Sequence, residues 1–111
     1  MISLPEGTLT FLLTDLESST RAWEAQPDAM RAAMEQHDGI VQRAVEGHGG
    51  MQVEAGREGD SVLAVFRSAL EAAAAALDVQ RNFASASWPQ GLRLAIRVSL
   101  HTGEALSLIH I

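Results

Sequence analysis

The sequence contains no cysteine, which excludes disulfide bonds and thiolate metal sites. Long apolar runs are also missing: the longest, residues 72–77, falls far short of the roughly 20 apolar residues that span a bilayer. No basic segment followed by an apolar stretch opens the chain, so no secretory signal is expected. Since cysteine-free chains suit a reducing compartment, we expect a cytoplasmic protein without a membrane segment.

Basic side chains are scarce as well. Eight Lys and Arg residues against fourteen Asp and Glu residues give a formal net charge of −6. Nucleic acid is therefore not an expected partner, because binding to a phosphate backbone requires a basic face. An acidic protein can still bind a single nucleotide where metal ions and backbone N–H groups neutralise the phosphates. With 111 residues, 47% of them hydrophobic, the chain has material for one small domain.

The hydrophobic pattern predicts four strands and three helices. Apolar and β-branched runs indicate the strands, and apolar positions three and four residues apart indicate the two long helices. The predicted strands cover residues 8–14, 51–55, 61–66 and 92–100, and the predicted helices cover residues 21–24, 28–46 and 68–84. The order β-α-α-β-β-α-β is close to the split βαβ, ferredoxin-like arrangement, so we expect an α+β fold with helices on one sheet face.

The segment from Thr14 to Thr20 is the first that could carry chemistry. Asp15 follows the first predicted strand, and Ser18 and Ser19 follow at a predicted helix start. A carboxylate there can bind a hard cation, and the free N–H groups of the helix can bind phosphate. The alternative interpretation is that Asp15 has no functional role and only caps the helix or faces solvent in a loop.

The second candidate is Gly59-Asp60, in the predicted hairpin between the second and third strands. Taken alone, this pair is common turn chemistry. The predicted fold places the first and third strands side by side, so Asp15 and Asp60 can meet. Two carboxylates beside a helix N-terminus would suit a two-metal phosphoryl site. The histidines show no zinc-ligand spacing, and His37 on the apolar stripe is expected to be a satisfied core residue.

Four blocks of the sequence resemble the class III adenylate and guanylate cyclase domains of bacteria. They are the run 4–20 (LPEGTLTFLLTDLESST), His48-Gly49-Gly50, Gly59-Asp60 with Ala64-Val65-Phe66, and the run 100–104 (LHTGE). The blocks stand in the order of the family and at nearly its spacing. The resemblance therefore covers the chain up to Glu104.

The resemblance implies a ferredoxin-like core that works as a homodimer, with active sites at the interface. Asp15, Asp60 and the backbone carbonyl of Leu16 match the ligands of two Mg²⁺ or Mn²⁺ ions. The turn that matches the triphosphate-binding segment of the family consists of Glu17, Ser18, Ser19 and Thr20. The implied reaction converts a nucleoside triphosphate, expected to be ATP, into 3′,5′-cyclic AMP and pyrophosphate in intracellular signalling.

The sequence departs from the family in two places. Where the family carries a base-reading lysine, this chain has Gly56 or Glu54, depending on the direction of counting, with Arg57 as the nearby cation. Adenine against guanine selectivity therefore stays open. The transition-state asparagine and arginine of the family lie downstream of Glu104. We expect residues 1–105 to be part of a cyclase domain, truncated at its C-terminus and inactive alone, and residues 106–111 to be a non-native tail.

Two other interpretations remain open from the sequence. The altered base-reading segment would also suit a catalytically silent, nucleotide-binding regulatory module of a larger signalling or transcription-regulatory protein. Alternatively, the chain is an unrelated ferredoxin-like interaction domain in which Asp15 and Asp60 are only turn residues.

Overall fold

A four-stranded antiparallel sheet forms the frame of the chain in the computed structural model, which describes residues 7–53 and 60–104. The strands lie in the order β2-β3-β1-β4. The elements are β1 (Thr8–Leu16), α1 (Ser19–Ala25), α2 (Pro27–Gly47), β2 (Met51–Val53), β3 (Val62–Phe66), α3 (Ala69–Ser85), a 3₁₀ turn (Pro89–Gly91) and β4 (Ile96–Glu104). This confirms the predicted α+β, ferredoxin-like order. Predictions for residues 54–59, including Arg57, and for the tail 106–111 lie outside the described residues.

The main core lies between one face of the sheet and the helices α2 and α3. Both helices turn a regular apolar stripe inward, as their spacing of three and four residues predicts. The buried positions are Ala29, Met30, Ala33, His37, Ile40, Val41, Ala44 and Val45 on α2, and Ala72, Ala75, Val79 and Phe83 on α3. Within the described residues, no helix is long and apolar enough to span a membrane.

The opposite face of the sheet carries a smaller apolar cluster and is where Asp15 lies. Successive residues of a strand point to opposite faces, so Leu9, Phe11, Leu13 and Asp15 of β1 share one face. Leu9 and Phe11 are buried there with Val65 of β3, whereas the Leu13 side chain is 46% exposed. Asp15 therefore faces away from the helices α2 and α3.

The start of the last strand was predicted wrongly. The sequence predicts a strand over residues 92–100, but β4 begins at Ile96 and continues to Glu104. Gln90 and Gly91 both have positive φ angles, of 51° and 72°, in the turn that precedes this segment, and pairing with β1 begins only at Ile96. Leu92 and Leu94 still pack against the core from outside the sheet. Their apolar character reflects partial burial without strand pairing.

The end of α2 explains the glycines of the His48-Gly49-Gly50 block. Gly49 has a φ of +75°, a conformation that favours glycine just after a helix. The Gly50 amide donates to the Val45 carbonyl oxygen at 2.8 Å and closes the helix end. A Cβ atom on Gly50 would stand 2.5 Å from the Phe66 ring, so this position has no room for a side chain.

Candidate functional site

Asp15 lies near the end of the central strand β1, directly opposite Arg97 on β4. The Arg97 Nε atom donates to Asp15 Oδ1 at 2.8 Å, and its Nη2 atom donates to Oδ2 at 3.2 Å. The two side chains are 43% and 64% exposed for Asp15 and Arg97, so water reaches the pair. The hydrogen bonds to Asp15 raise the pKa of Arg97 above its usual value, with smaller attractions to Asp15 and Glu17. The Asp15 carboxylate is thus held by a two-point ion pair.

Asp60 reaches the same end of the sheet from the other side of β1. It stands two residues before Val62, the first residue of β3, and Val62 is paired with Thr14. The Oδ2 atom of Asp60 is buried and finds no hydrogen-bond donor in the described part of the chain. A buried carboxylate oxygen without a partner is costly, and a divalent cation would satisfy it. This oxygen therefore fits the metal-ligand role that the resemblance implies for Asp60.

The strand pairing also determines where the Leu16 backbone points. The Glu17 amide donates to the Ala95 carbonyl oxygen at 2.9 Å, so Glu17 is hydrogen-bonded toward the β4 side. In an extended strand, the C=O group of one residue and the N–H group of the next residue point to opposite sides. The Leu16 carbonyl is therefore directed toward the β3 side, the side from which Asp60 comes. This orientation suits the predicted role of that carbonyl as a metal ligand.

The turn after β1 joins the sheet to α1. Ser18 has left-handed backbone angles, with φ of 56° and ψ of 27°, and α1 begins at Ser19. The Ser18 side chain makes no capping hydrogen bond to the helix. The first N–H groups of a helix have no partner within it, so Ser19 and Thr20 lie where such groups begin. The Glu17 amide, by contrast, is already bonded within the chain. The predicted triphosphate contacts in this turn stay a prediction.

Comparisons with known proteins identify relatives of this chain by sequence and by fold. No protein-family model matches the chain. An uncharacterized protein of Mycobacterium tuberculosis is 42% identical over 100 residues, which cover 90% of this chain and 33% of that protein. The adenylate cyclase of Lachancea kluyveri is 37% identical over 89 residues, or 80% of this chain and 5% of that enzyme. A Trypanosoma brucei adenylate cyclase structure, in the monomeric state, superimposes with a TM-score of 0.80 at 24% identity, over 88% of this chain and 57% of that one.

The chain belongs to the class III adenylate and guanylate cyclase domain family. It spans about a third of the length of its mycobacterial relative and a small part of the fungal adenylate cyclase. Activity and substrate of the whole protein are therefore taken up as proposals.

A groove of about 550 Å³ opens beside Asp15 in the cyclase domain. Its walls come from the end of β1, from β4 and from one side chain of α3. The lining residues are Leu13, Thr14, Asp15, Gln80, Ile96, Arg97, Val98 and Ser99. The Thr14 Oγ1 atom is a second buried oxygen without a hydrogen-bond partner among the described residues. This end of β1 thus combines an exposed ion pair with buried oxygens that have no hydrogen-bond partner in the described ranges.

His37 and His48 do not line this groove. His48 accepts or donates a hydrogen bond at each ring nitrogen, 2.9 Å to Glu71 Oε2 and 2.7 Å to Asp78 Oδ2. His37 is buried edge-on to Phe83, as a core residue should be, but its Nε2 atom has no hydrogen-bond partner among the described residues. It is therefore buried but not fully satisfied, which corrects the prediction. In the described ranges, no group of three or more His, Asp and Glu side chains could hold a metal ion.

Sequence reasoning missed Arg97. The clue was available, because opposite charges at facing positions of antiparallel strands attract. Finding it required the register of β1 against β4, and the prediction that the last strand began at residue 92 obscured that register.

Proposed function

We propose that the protein containing this chain is a nucleotide cyclase that converts ATP into 3′,5′-cyclic AMP and pyrophosphate. The observation that carries the proposal is that Asp15 and Asp60 both stand at one end of the sheet, within a member of the cyclase family. The two residues come from distant parts of the sequence, and the pairing of β1 with β3 brings them to the same end. The unsatisfied Oδ2 of Asp60 supports a cation site there.

In this proposal Asp15, Asp60 and the Leu16 carbonyl would hold two Mg²⁺ or Mn²⁺ ions. When bound, such ions supply a more acidic ribose 3′-hydroxyl and neutralise the charge on the leaving pyrophosphate. The reaction forms a bond from the 3′-oxygen to the α-phosphorus and breaks the bond from the α-phosphorus to the oxygen that bridges the α- and β-phosphates. Pyrophosphate leaves with this oxygen, and the hydroxyl proton passes to solvent.

The chain's own residues would position the substrate for this step. The turn with Ser18, Ser19 and Thr20 would orient the triphosphate through backbone N–H groups, as helix starts commonly bind phosphate. The Glu17 amide is bonded to Ala95, so we assign Glu17 the role of fixing the turn rather than contacting phosphate. The resemblance also leads us to propose a homodimer in the intact protein and a cytoplasmic location.

The experiment is divalent-cation binding to the 111-residue chain in the presence of a non-hydrolysable ATP analogue. Asp15→Asn and Asp60→Asn should each weaken Mn²⁺ binding by about tenfold or more, since each removes a charged ligand. The control is Asp28→Asn, which removes the same type of charge from a side chain at the start of α2 that pairs with Arg31. Circular dichroism checks that the variants are folded. Mn²⁺ affinity that is equal in all four proteins would refute the two-metal assignment.

A silent nucleotide-binding module is the second candidate, and the sequence around Glu54 favours it. Where cyclases carry a base-reading lysine, this chain has Glu54 or Gly56. The intact protein would then bind ATP and Mn²⁺ through the same carboxylates without producing cyclic nucleotide. Measuring ATP binding and cyclic-nucleotide production on the same preparation of the intact protein separates the two candidates.

A further inference from the structure

Arg97 uses both oxygens of the carboxylate that the proposed function assigns to a metal ion. Its Nε and Nη2 atoms approach Asp15 Oδ1 and Oδ2 separately, at 2.8 and 3.2 Å. Such two-point pairs are the strongest that arginine makes with a carboxylate. A divalent cation bound to Asp15 would take one of these oxygens as a ligand and bring a second positive charge close to the guanidinium. Attraction of the cation to Asp15 and repulsion from Arg97 therefore oppose each other.

We propose that Arg97 is the internal counter-ion of Asp15 and competes with the divalent cation for this carboxylate. Binding of the cation to Asp15 breaks at least one of the two Arg97 hydrogen bonds. Arg97 thereby sets the cation affinity of the site. This inference rests on the proposed function, because it takes Asp15 as a metal ligand.

The surroundings of Arg97 permit its displacement. Its side chain is 64% exposed and lies on the sheet face away from the helices, so the guanidinium can leave without opening the core. Asp60 differs in this respect, because its buried Oδ2 has no hydrogen-bond donor among the described residues. The two proposed ligands therefore differ. A cation would satisfy the unpaired oxygen of Asp60, whereas at Asp15 a metal ion would replace the guanidinium of Arg97.

The first test measures Mn²⁺ affinity of the 111-residue chain by calorimetry. Arg97→Lys keeps the charge but loses the planar fork, so a competitor role predicts binding about two- to fivefold tighter than in the parent. Arg97→Gln should tighten binding further. Arg93→Lys is the matched control: Arg93 is exposed, precedes β4, and should leave the affinity unchanged. In an Asp15→Asn background, Arg97→Lys should lose its effect, because no carboxylate remains to compete for.

The second test observes the Arg97–Asp15 ion pair directly in the parent chain. In the parent chain, the NMR signal of the Arg97 Nε–H group should shift and exchange faster with water as Mg²⁺ saturates the site. An Nε–H signal that stays unchanged at saturating Mg²⁺, with Arg97→Lys binding Mn²⁺ like the parent, would overturn the inference and leave the proposed function intact. If neither the parent nor any Arg97 variant binds Mn²⁺, the proposed function fails, and this inference fails with it.

Discussion

At the scale of single residues, Gly50 shows that packing alone can require a glycine within a short motif. The glycine follows α2, and its Cα faces the ring of Phe66 on β3. A side chain there would meet the ring at 2.5 Å, and Phe66 is itself fully buried in the main core. Neither the ring nor the helix end can shift cheaply in a close-packed interior.

Gly50→Ala should therefore lower the free energy of unfolding by about 1–3 kcal/mol, the usual cost of overpacking. Urea denaturation of the folded chain measures it. Gly47→Ala is the matched control, since nothing lies within 4 Å of the Cβ position and Gly47 is the last residue of α2. That variant should be neutral or slightly more stable, because alanine favours helix. Equal urea midpoints for Gly50→Ala and the parent would contradict the packing argument.

At the scale of elements, His48 links the end of α2 to α3. It is the C-cap residue of α2, and it bridges Glu71 in the first turn of α3 and Asp78 about two turns later. Hydrogen bonds to Asp78 and Glu71, in that order of size, raise the pKa of His48 above its usual value. The positive imidazolium is therefore stabilised where the two helices meet.

The sign of the resulting pH dependence follows from this raised pKa. The stabilisation by His48 is fully present below the unfolded pKa of about 6.5 and is lost as the pH rises through the higher folded-state pKa. His48→Gln should thus destabilise the chain more at about pH 5.5 than at about pH 9. Urea denaturation at both pH values measures the difference. Replacing both carboxylates, as Glu71→Gln with Asp78→Asn, should abolish the same pH dependence; a His48→Gln effect equal at both pH values would argue against the link.

The elements also show what the sequence can predict and what it cannot. The apolar stripes of α2 and α3 follow helical spacing, so both helices were predicted to within one or two residues of their observed bounds. The start of β4 was missed because Leu92 and Leu94 are partly buried without strand pairing, and apolar character alone does not distinguish such residues from those of a strand. Asp15 and Asp60 could be selected from the sequence, whereas the Arg97 contact depends on strand register, a property of two segments together.

At the scale of the whole molecule, the chain corresponds to 57% of the superimposed Trypanosoma brucei cyclase structure. It carries the candidate metal carboxylates, but the asparagine and arginine of the resemblance lie beyond its matched blocks. Charge stabilisation in the transition state is usually the largest contribution to catalysis of this kind.

The 111-residue chain should therefore bind Mn²⁺ with an ATP analogue and yet release no cyclic nucleotide. A chromatographic assay for cyclic AMP and cyclic GMP, with an active cyclase as positive control, measures this. Detectable product from the chain alone, abolished by Asp60→Asn, would show that the residues described here suffice for turnover.

The position of β1 has a consequence for how the molecule fluctuates. Residues 10–14 are paired with β3, and residues 8–16 are paired with β4, so β1 is hydrogen-bonded along both edges. In amide hydrogen exchange, such a strand opens last, often only with global unfolding, whereas a short edge strand such as Met51–Val53 opens in small local events. Asp15 is paired only with β4, but it directly follows residues 10–14, the backbone that we expect to exchange most slowly in the sheet. The Asp15 carboxylate can therefore exchange its ion-pair partner while the surrounding sheet stays folded.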